Sequence, residues 1–424
     1  MRVAATGLAL HGGPKAVTIK NPEGWQPFGA EEIELVGQMA ANAELSATGD
    51  GVTKAFEEGF ARYVGRTYAL AQMNGTSTLW AAYFAVGVGP GDEVIHPTYS
   101  WIGAVTPAVF LGARPVFCEV DPQTLTADPM DVERRITIRT RAISVVHLWG
   151  NPVDMDGIME ISRRYGIPVI ENCSHAHGAE WDGRKVGAIG DIGCFSLQGE
   201  GRGAMSVGEG GMVVTSNREY YERLLICGHL NRRGIAEELT RPEYRGLRNT
   251  CLGIKFRAHA LGVGLGQEQL RKLDSVNEKR RAVHQRLNQI AEEIPGLEPV
   301  MVLKKARPGG YFGYRLLYRA EDLDGLPVET YLAALQAEGM QVTACDYPLL
   351  HRLPLFAEGF DLYGGNRGPL AGDYRGYREG DLPVSEGVHR RVLALPALTE
   401  PKAGVLEQYM EAFRKVAASV GALR

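Results

Sequence analysis

The residues best suited to hold a phosphate are Asn74-Gly75-Thr76-Ser77-Thr78, which directly precede an apolar segment with helical spacing. At the N-terminus of a helix, backbone N–H groups and hydroxyls converge, and such a terminus attracts anions. An ordinary helix cap uses the same residue types. The motif alone therefore leaves a phosphate site and a plain cap both open.

A second candidate is Trp101, which ends the segment Gly91–Trp101 after a turn and a short strand pattern. An indole in this position can stack on a flat ligand. A single Trp after a strand is also common in ordinary core or rim packing. Trp101 alone therefore does not indicate a ligand site, and other motifs are needed to assign it one.

Composition favours small-molecule chemistry in a large globular chain. The 424 residues are 45% hydrophobic and 23% charged, and the net charge of -4 is spread without long blocks of one sign. This distribution argues against nucleic acid or an anionic membrane as a partner. Six scattered cysteines form no CxxC pair and no zinc-spaced cluster, which predicts reduced thiols, no metal site and a cytoplasmic location. Gly12, Gly13 and Pro14 interrupt any signal-like apolar stretch.

Between about residues 55 and 215, short apolar runs alternate with helical patterns, which is typical of a parallel sheet covered by helices. The predicted strands include Glu93–Ile95, Pro115–Glu119, Ala142–Leu148, Pro168–Glu171, Gly193–Leu197 and Gly211–Thr215. The predicted helices are Val52–Tyr63, Ser77–Val86 and Met155–Tyr165.

Beyond about residue 270 the pattern changes to long amphipathic helices, which predicts a second, smaller α+β domain. One apolar stripe consists of Val405, Leu406, Tyr409, Met410, Phe413, Val416 and Val420. The Gly-, Asp- and Arg-rich stretch Asp361–Gly380 predicts an exposed, mobile loop.

Further motifs follow these in a fixed order. They are Val146–Gly150, Val169–Gly178, Asp191–Gln198 and Gly208–Gly211, with outlying matches at Leu8–Pro14, Gly253–His259, Tyr347–His351 and Leu382–Val384. Their order and spacing resemble the DegT/StrS family of sugar aminotransferases, which use pyridoxal phosphate (PLP), and especially the branch that acts on cyclitol ketones and aminobenzoate precursors. The resemblance covers essentially the whole chain.

The resemblance implies an α/β fold of the fold-type-I PLP-dependent transferase class. Residues 1–270 would form the large domain, with an N-terminal arm and a mainly parallel sheet of seven strands, and residues 271–424 the small α+β domain. It also implies a homodimer with shared active sites, because Lys255 and Arg257 lie on the stretch that family members lend to the neighbouring subunit.

The family's site roles carry over to matching positions. Thr76 and Ser77, with Ser196, would hold the cofactor phosphate; Trp101 would cover the ring; and His175 would lie beside the ring hydroxyl. Gly75, Asn172 and Gln198 complete the predicted cofactor contacts in this chain.

Asn172 departs from the family pattern, in which an aspartate follows the strand-ending glutamate and pairs with the protonated pyridine nitrogen. A carboxylate raises the pKa of that nitrogen and makes the ring an electron sink. An amide has no charge, so the nitrogen should stay largely neutral.

The larger departure is the missing Schiff-base lysine. Counted forward from Ser196 the family position is Gly201, and counted back from Gly208 it is Gly203, because the segment is two residues longer than the family pattern. Arg202 is the only cation between these anchors, and a guanidinium does not form imines at neutral pH. The added glycines predict a rebuilt loop.

Lysine forms the imine with the cofactor and moves the substrate proton, so both functions are lost together. The nearest other lysines are Lys185, on a turn, and Lys255, which matches a non-catalytic position.

Three hypotheses follow. The first is an enzyme of secondary-metabolite or amino-sugar biosynthesis that binds PLP, its amine form (PMP) or a keto sugar or cyclitol non-covalently and has lost lysine-dependent transamination. Its acid and base candidates are His175, Glu200 and Glu209, and Arg202 is a further candidate catalytic residue. The second is a non-catalytic subunit that completes the site of an intact paralogue through Lys255 and Arg257. The third is a pocket without PLP that binds another phosphate-bearing ligand.

Overall fold

The computed structural model describes residues 7–199, 203–345 and 347–424. Its large sheet has seven strands in the order β1-β9-β8-β5-β4-β2-β3. Their bounds are β1 Tyr68–Gln72, β2 Glu93–Pro97, β3 Arg114–Cys118, β4 Thr140–Val146, β5 Val169–Asn172, β8 Ile192–Ser196 and β9 Gly211–Thr215. Only β9 in this sheet runs against the other six strands.

The predicted strands of this sheet are confirmed to within a few residues. Most of their side chains are buried on both faces, as in parallel sheets covered by helices. The sequence patterns did not reveal β1, which closes one edge of the sheet by pairing with β9.

Fourteen α-helices lie in the described residues. Their bounds are α1 Ala30–Ala41, α2 Gly51–Val64, α3 Gly75–Ala85, α4 Thr106–Phe110, α5 Pro129–Arg134, α6 Met155–Tyr165, α7 Arg218–Ile226, α8 Ile235–Glu238, α9 Pro242–Arg245, α10 Ala260–Glu292, α11 Val328–Ala337, α12 Pro354–Ala357, α13 Pro383–His389 and α14 Val405–Ala417. The three helices predicted in the first half correspond to α2, α3 and α6.

A second sheet is entirely antiparallel and has the order β10-β12-β14-β13. Its strands are β10 Leu297–Pro299, β12 Tyr314–Tyr318, β13 Thr343–Ala344 and β14 Val392–Leu395, and the short strands β6 Glu180–Trp181, β7 Arg184–Lys185 and β11 Ala306–Arg307 form a third sheet. The predicted stripe of α14 packs into the core beside the second sheet. The long helix α10 serves two cores, since Leu273 and Val276 face the large-sheet side while Val283 and Leu287 face this one.

The stretch Asp361–Gly380 is less exposed than its composition suggests. Leu370 is buried, the Arg114 guanidinium donates to the carbonyl oxygen of Pro369 (2.7 Å), and the Phe117 N–H donates to the Tyr377 hydroxyl (3.0 Å). These contacts lay the stretch along β3, the edge strand of the large sheet, and cover part of that edge. The predicted exposed loop is therefore confirmed in part: residues 363–367 and 378–380 are exposed, whereas Leu370 and the tyrosines anchor the stretch to the rest of the chain.

No helix among the described residues is long and apolar enough to cross a membrane. Cys118, Cys173, Cys194, Cys227 and Cys251 are buried free thiols.

Candidate active site

A cavity of about 490 Å³ opens at the carboxyl ends of β4, β5 and β8, where α/β sheets usually bind ligands. The lining residues are Asn74, Gly75, Thr76, Leu79, Ser100, Trp101, Gly103, Ala104, Val146, Asn172, Ser174, His175, Ser196, Gln198, Glu209, Phe312 and Tyr347. The structure thus brings together Gly75, Thr76, Trp101, Asn172, His175, Ser196 and Gln198 of the predicted site.

One end of the cavity is the N-terminus of α3. Asn74 caps this helix, with its Oδ1 accepting from the Ser77 N–H (2.8 Å), and the Ser77 hydroxyl donates back to the Asn74 carbonyl oxygen (2.7 Å). The N–H and the hydroxyl of Ser77 are therefore both used in capping α3. Ser77 does not line the cavity, contrary to the prediction. Thr76 is exposed beside it, so its hydroxyl and the first N–H groups of the helix face the cavity end.

Two glycines let this end close around a ligand. A Cβ on Gly75 would lie 2.7 Å from the Cβ of Ser196, so glycine lets the start of α3 touch the end of β8. A Cβ on Gly103 would lie 2.9 Å from both the Thr76 Oγ1 and the Trp101 Nε1. The resulting cradle of helix N–H groups, Thr76 and Ser196 fits a phosphate.

One wall of the cavity is aromatic. Trp101 has 55% of its surface exposed, and its ring centroid lies 5.8 Å from that of Tyr347. Phe312 also lines the cavity. Trp101 is thus exposed at the cavity, and its stacking on a flat ring stays a prediction.

His175 is fixed within a stack of rings. It lies parallel to Phe312 (centroids 4.4 Å apart, 9° between planes) and to Trp149 (5.1 Å, 14°). The Arg315 guanidinium also lies over the Trp149 ring, 3.8 Å from its centroid. Trp149 adopts a left-handed backbone conformation (φ 56°), a costly state for a bulky residue that places its ring in this stack.

Two hydrogen bonds set the protonation of His175. The Trp149 N–H donates to Nδ1 (3.4 Å), so Nε2 carries the proton and contacts the Tyr347 hydroxyl (3.2 Å). Burial, reinforced by the positive charge of Arg315, lowers the pKa of His175 to about 3. The imidazole is therefore neutral at physiological pH and acts by hydrogen bonding.

Asn172 lies at the end of β5 and is 5% exposed. Its Oδ1 accepts from the Ser174 N–H (3.1 Å), and the Ser174 hydroxyl accepts from the Ser196 N–H (3.1 Å). This turn ties the middle of the sheet to β8 and fixes the amide at the cavity floor.

No lysine or arginine lines the cavity in the described part of the chain. Lys185 lies elsewhere, where its ammonium pairs with Glu180 (2.9 Å) and sits over the Tyr63 ring (4.9 Å). Lys255 is exposed and does not contribute to the cavity of its own chain, and neither does Arg257. Glu200, Gly201 and Arg202 lie outside the described residues.

The described residues on both sides of the segment 200–202 are packed closely. The Gly203 N–H donates to the Gly199 carbonyl oxygen (3.1 Å), and a Cβ on Gly199 would lie 2.6 Å from the Cβ of Ser206. A Cβ on Gly203 would lie 2.8 Å from the Met205 carbonyl oxygen. These contacts explain why glycines stand here.

Sequence reasoning missed the aromatic partners of His175. Phe312, which follows Gly309 and Gly310, and Tyr347 both approach the cavity from beyond residue 300, far along the chain from His175. Tyr347 was visible as part of a matching motif, but nothing in the local pattern assigned it to the cavity. Glu209, an acid or base candidate, does line it.

The cavity thus fits the phosphate and ring of PLP or PMP, but its described lining offers no amine for a Schiff base. The seven-stranded sheet and its cavity define the chain as a protein of the PLP-dependent aminotransferase fold. The chain belongs to the DegT/DnrJ/EryC1/StrS aminotransferase family, whose model matches residues 27–414.

Known relatives agree with this assignment. The chain is 35% identical over 361 residues to L-glutamine:scyllo-inosose aminotransferase of Streptomyces griseus, covering 81% of this chain and 82% of that one. It is 32% identical over 407 residues to L-glutamine:2-deoxy-scyllo-inosose aminotransferase of Streptomyces lividus, covering 92% of each. The structure of the aminotransferase from Psychrobacter cryohalolentis superposes with a TM-score of 0.81 at 26% identity, covering 95% of this chain and 99% of that chain.

Proposed function

We propose that this member of the sugar and aminocyclitol aminotransferase family binds PMP or PLP non-covalently, acts on a keto-cyclitol or keto-sugar, and does not perform lysine-dependent transamination. The observation that carries the proposal is a cavity with a phosphate cradle and a ring-stacking wall whose described lining lacks any lysine. The segment 196–211 contains no lysine in the sequence either.

Each part of the lining has a distinct task in this proposal. The N–H groups at the start of α3, with Thr76 and Ser196, hold the phosphate, and Trp101 covers the ring and keeps water from its face. When bound, the cofactor supplies a reactive amine or aldehyde carbon and a conjugated electron-accepting ring. His175, neutral and fixed by Trp149 and Tyr347, donates a hydrogen bond from Nε2 at the cavity wall.

The charge balance of the cavity supports a shared site. Glu209 is the one charged side chain in the described lining, and its charge has the same sign as a phosphate. We therefore propose a homodimer in which Lys255 and Arg257 of a second copy supply positive charge at this cradle. The exposure of Lys255 agrees with that role.

The first test is whether an amine is within reach of a bound aldehyde. The purified chain, incubated with PLP and treated with borohydride, is expected to carry no pyridoxyl adduct after digestion and mass spectrometry, and to lack the yellow absorption of a Schiff base. PMP, which cannot form an imine, is expected to bind in calorimetry.

The controls are Lys185→Arg and Lys255→Arg, which keep the charge and remove the amine. An adduct that forms on the wild-type chain and disappears in either variant would show that the lysine has moved, and would overturn the proposal. Failure of PMP to bind would overturn it too.

Restoring a lysine at Gly201 or at Gly203 alone is not expected to recover transamination with L-glutamine and scyllo-inosose. Asn172 would still withhold the charge that stabilises a carbanion. At Gly203 the new side chain also starts against the Met205 carbonyl oxygen and outside the cavity lining. Product formation by chromatography checks this, and turnover by either single variant would contradict the account.

A further inference from the structure

The orientation of the Asn172 amide is determined by its surroundings. The Ser174 backbone N–H can only donate, so the oxygen of the amide must be the atom that faces it at 3.1 Å. Ser174 is itself held by its bond from the Ser196 N–H. Among residues 7–199, 203–345 and 347–424, the bond from Ser174 is the one hydrogen bond that the Asn172 side chain makes, which leaves its NH₂ group without an acceptor there.

The residue also lines the cavity, and its main-chain groups are used by the sheet, where its carbonyl oxygen accepts from the His147 N–H (3.1 Å). The NH₂ group is therefore the polar group of Asn172 that remains to contact a ligand. It offers only hydrogen-bond donors.

We infer that Asn172 makes this cavity select ligands with a hydrogen-bond acceptor at the cavity floor, which for the pyridine ring of the cofactor means the unprotonated nitrogen. The inference rests on the proposed function, because it assumes that the ring occupies this cavity. A protonated ring nitrogen would place its N–H against the amide N–H, and a buried donor without an acceptor costs about 1–3 kcal/mol.

This preference predicts the direction in which ligand affinity changes with pH. A ligand that must lose its ring proton to bind gains affinity as pH rises, by up to about tenfold per pH unit, until the free ligand is already deprotonated. An aspartate at the same position favours the protonated ring by opposite charge, so the trend reverses.

Several other titratable groups surround the site, and each must be separated from this effect. They are Glu171 on β5, His147 after β4, Cys194 on β8, Cys173 and His175 after β5, Tyr83 on α3, and Glu209 across the cavity. All of them are present in both the wild-type chain and an Asn172 variant. The ratio of the two affinities at each pH therefore reports the ring nitrogen and the residue at position 172.

The experiment measures binding of pyridoxine 5′-phosphate, which has no aldehyde and so is independent of any lysine. Calorimetric titrations of the wild-type chain and Asn172→Asp run from about pH 7 to 9, above the second phosphate pKa of about 6. Wild-type affinity is expected to rise with pH, and Asn172→Asp affinity to fall. Asn42→Asp, which adds the same charge at the exposed end of α1, is expected to follow the wild type.

The ¹⁵N chemical shift of ring-labelled pyridoxine 5′-phosphate gives a second readout that does not depend on comparing affinities. The bound ligand is expected to show an unprotonated nitrogen in the wild type and a protonated one in Asn172→Asp. Parallel pH trends in the two proteins, or a protonated nitrogen on the wild type, would overturn the inference and leave the proposed function standing. A wild-type chain that does not bind the probe at all would overturn both.

Discussion

Replacing Glu171 with glutamine is expected to lower the free energy of unfolding by about 2–6 kcal/mol, because two buried donors lose an acceptor at about 1–3 kcal/mol each. Glu171 is fully buried at the end of β5. One oxygen accepts from the N–H groups of Ile189 (2.8 Å) and Gly190 (2.6 Å). The other accepts from the Gly187 N–H (2.8 Å) and the His147 Nε2 (3.1 Å), and a glutamine NH₂ would face one of these donor pairs.

The loss of unfolding free energy in Glu171→Gln should be larger at neutral pH than in acid. Burial disfavours the charged form of Glu171, but His147 and the N–H groups of Gly187 and Gly190 outweigh it and hold the pKa below 4.5. Its stabilisation is therefore complete above pH 4.5 and is lost as pH falls through the folded-state pKa.

Urea unfolding of both proteins at neutral pH and in acid measures this difference, which is expected to shrink in acid. The control is Glu160→Gln on the exposed surface of α6, where a change within about 0.5 kcal/mol is expected. Equal stability of Glu171→Gln and wild type at neutral pH would contradict the assignment.

The arrangement of the large sheet was predictable only in part. Apolar runs bounded by turn residues located β2 to β5, β8 and β9, because a strand buried on both faces is a short continuous apolar run between turn residues. The strand β1, Tyr-Ala-Leu-Ala-Gln, escaped because alanine has low strand propensity and its burial comes from neighbours far along the chain. The reversed direction of β9 leaves no trace in a period-two pattern.

The division between domains at residues 270 and 271 stays a prediction. Residue 270 lies inside α10, and this helix contributes side chains to the cores on both sides. The change in sequence pattern near residue 270 marks the beginning of long amphipathic helices. The boundary between the two hydrophobic cores need not lie at the same residue.

For the site, residue types were predictable and side-chain directions were not. Ser77 illustrates the difference, since a hydroxyl near a helix start can face a ligand or close a capping box, and here it does the latter. Asn172 illustrates the converse. The sequence shows an uncharged asparagine at the position where the family resemblance implies an aspartate. Only the bond from Ser174 shows which end of the amide faces the cavity.

Arg280 is a residue whose importance no motif indicated. It is fully buried in α10, and its guanidinium donates to the carbonyl oxygens of Gly310 (2.7 Å) and Gly203 (3.2 Å) and, through Nε, to the Thr399 hydroxyl (2.9 Å). It also lies 5.2 Å from the Trp25 ring centroid. Burial lowers the pKa of Arg280 to about 10, so the side chain remains charged at neutral pH.

These bonds join Gly203 to the segment that carries Phe312 into the cavity. Gly310 reinforces this junction, because a Cβ there would lie 2.4 Å from the His175 carbonyl oxygen. One buried cation therefore links Gly203, which lies outside the cavity lining, to the segment that leads to the lining residue Phe312.

Arg280→Met, which keeps most of the side-chain volume, is expected to cost about 3–5 kcal/mol of unfolding free energy, since several buried carbonyl oxygens lose their donor at once. Because Gly203 and Gly310 lose their common anchor, PMP affinity should also fall when measured by calorimetry at a temperature where the variant is still folded. The matched control is Lys279→Ala, the preceding residue, whose side chain is 48% exposed and pairs with Glu400 at the surface. It is expected to change stability by no more than about 0.5 kcal/mol and to leave PMP binding unchanged. A folded Arg280→Met protein with wild-type PMP affinity would show that the loop and the Phe312 segment hold their positions without this cation.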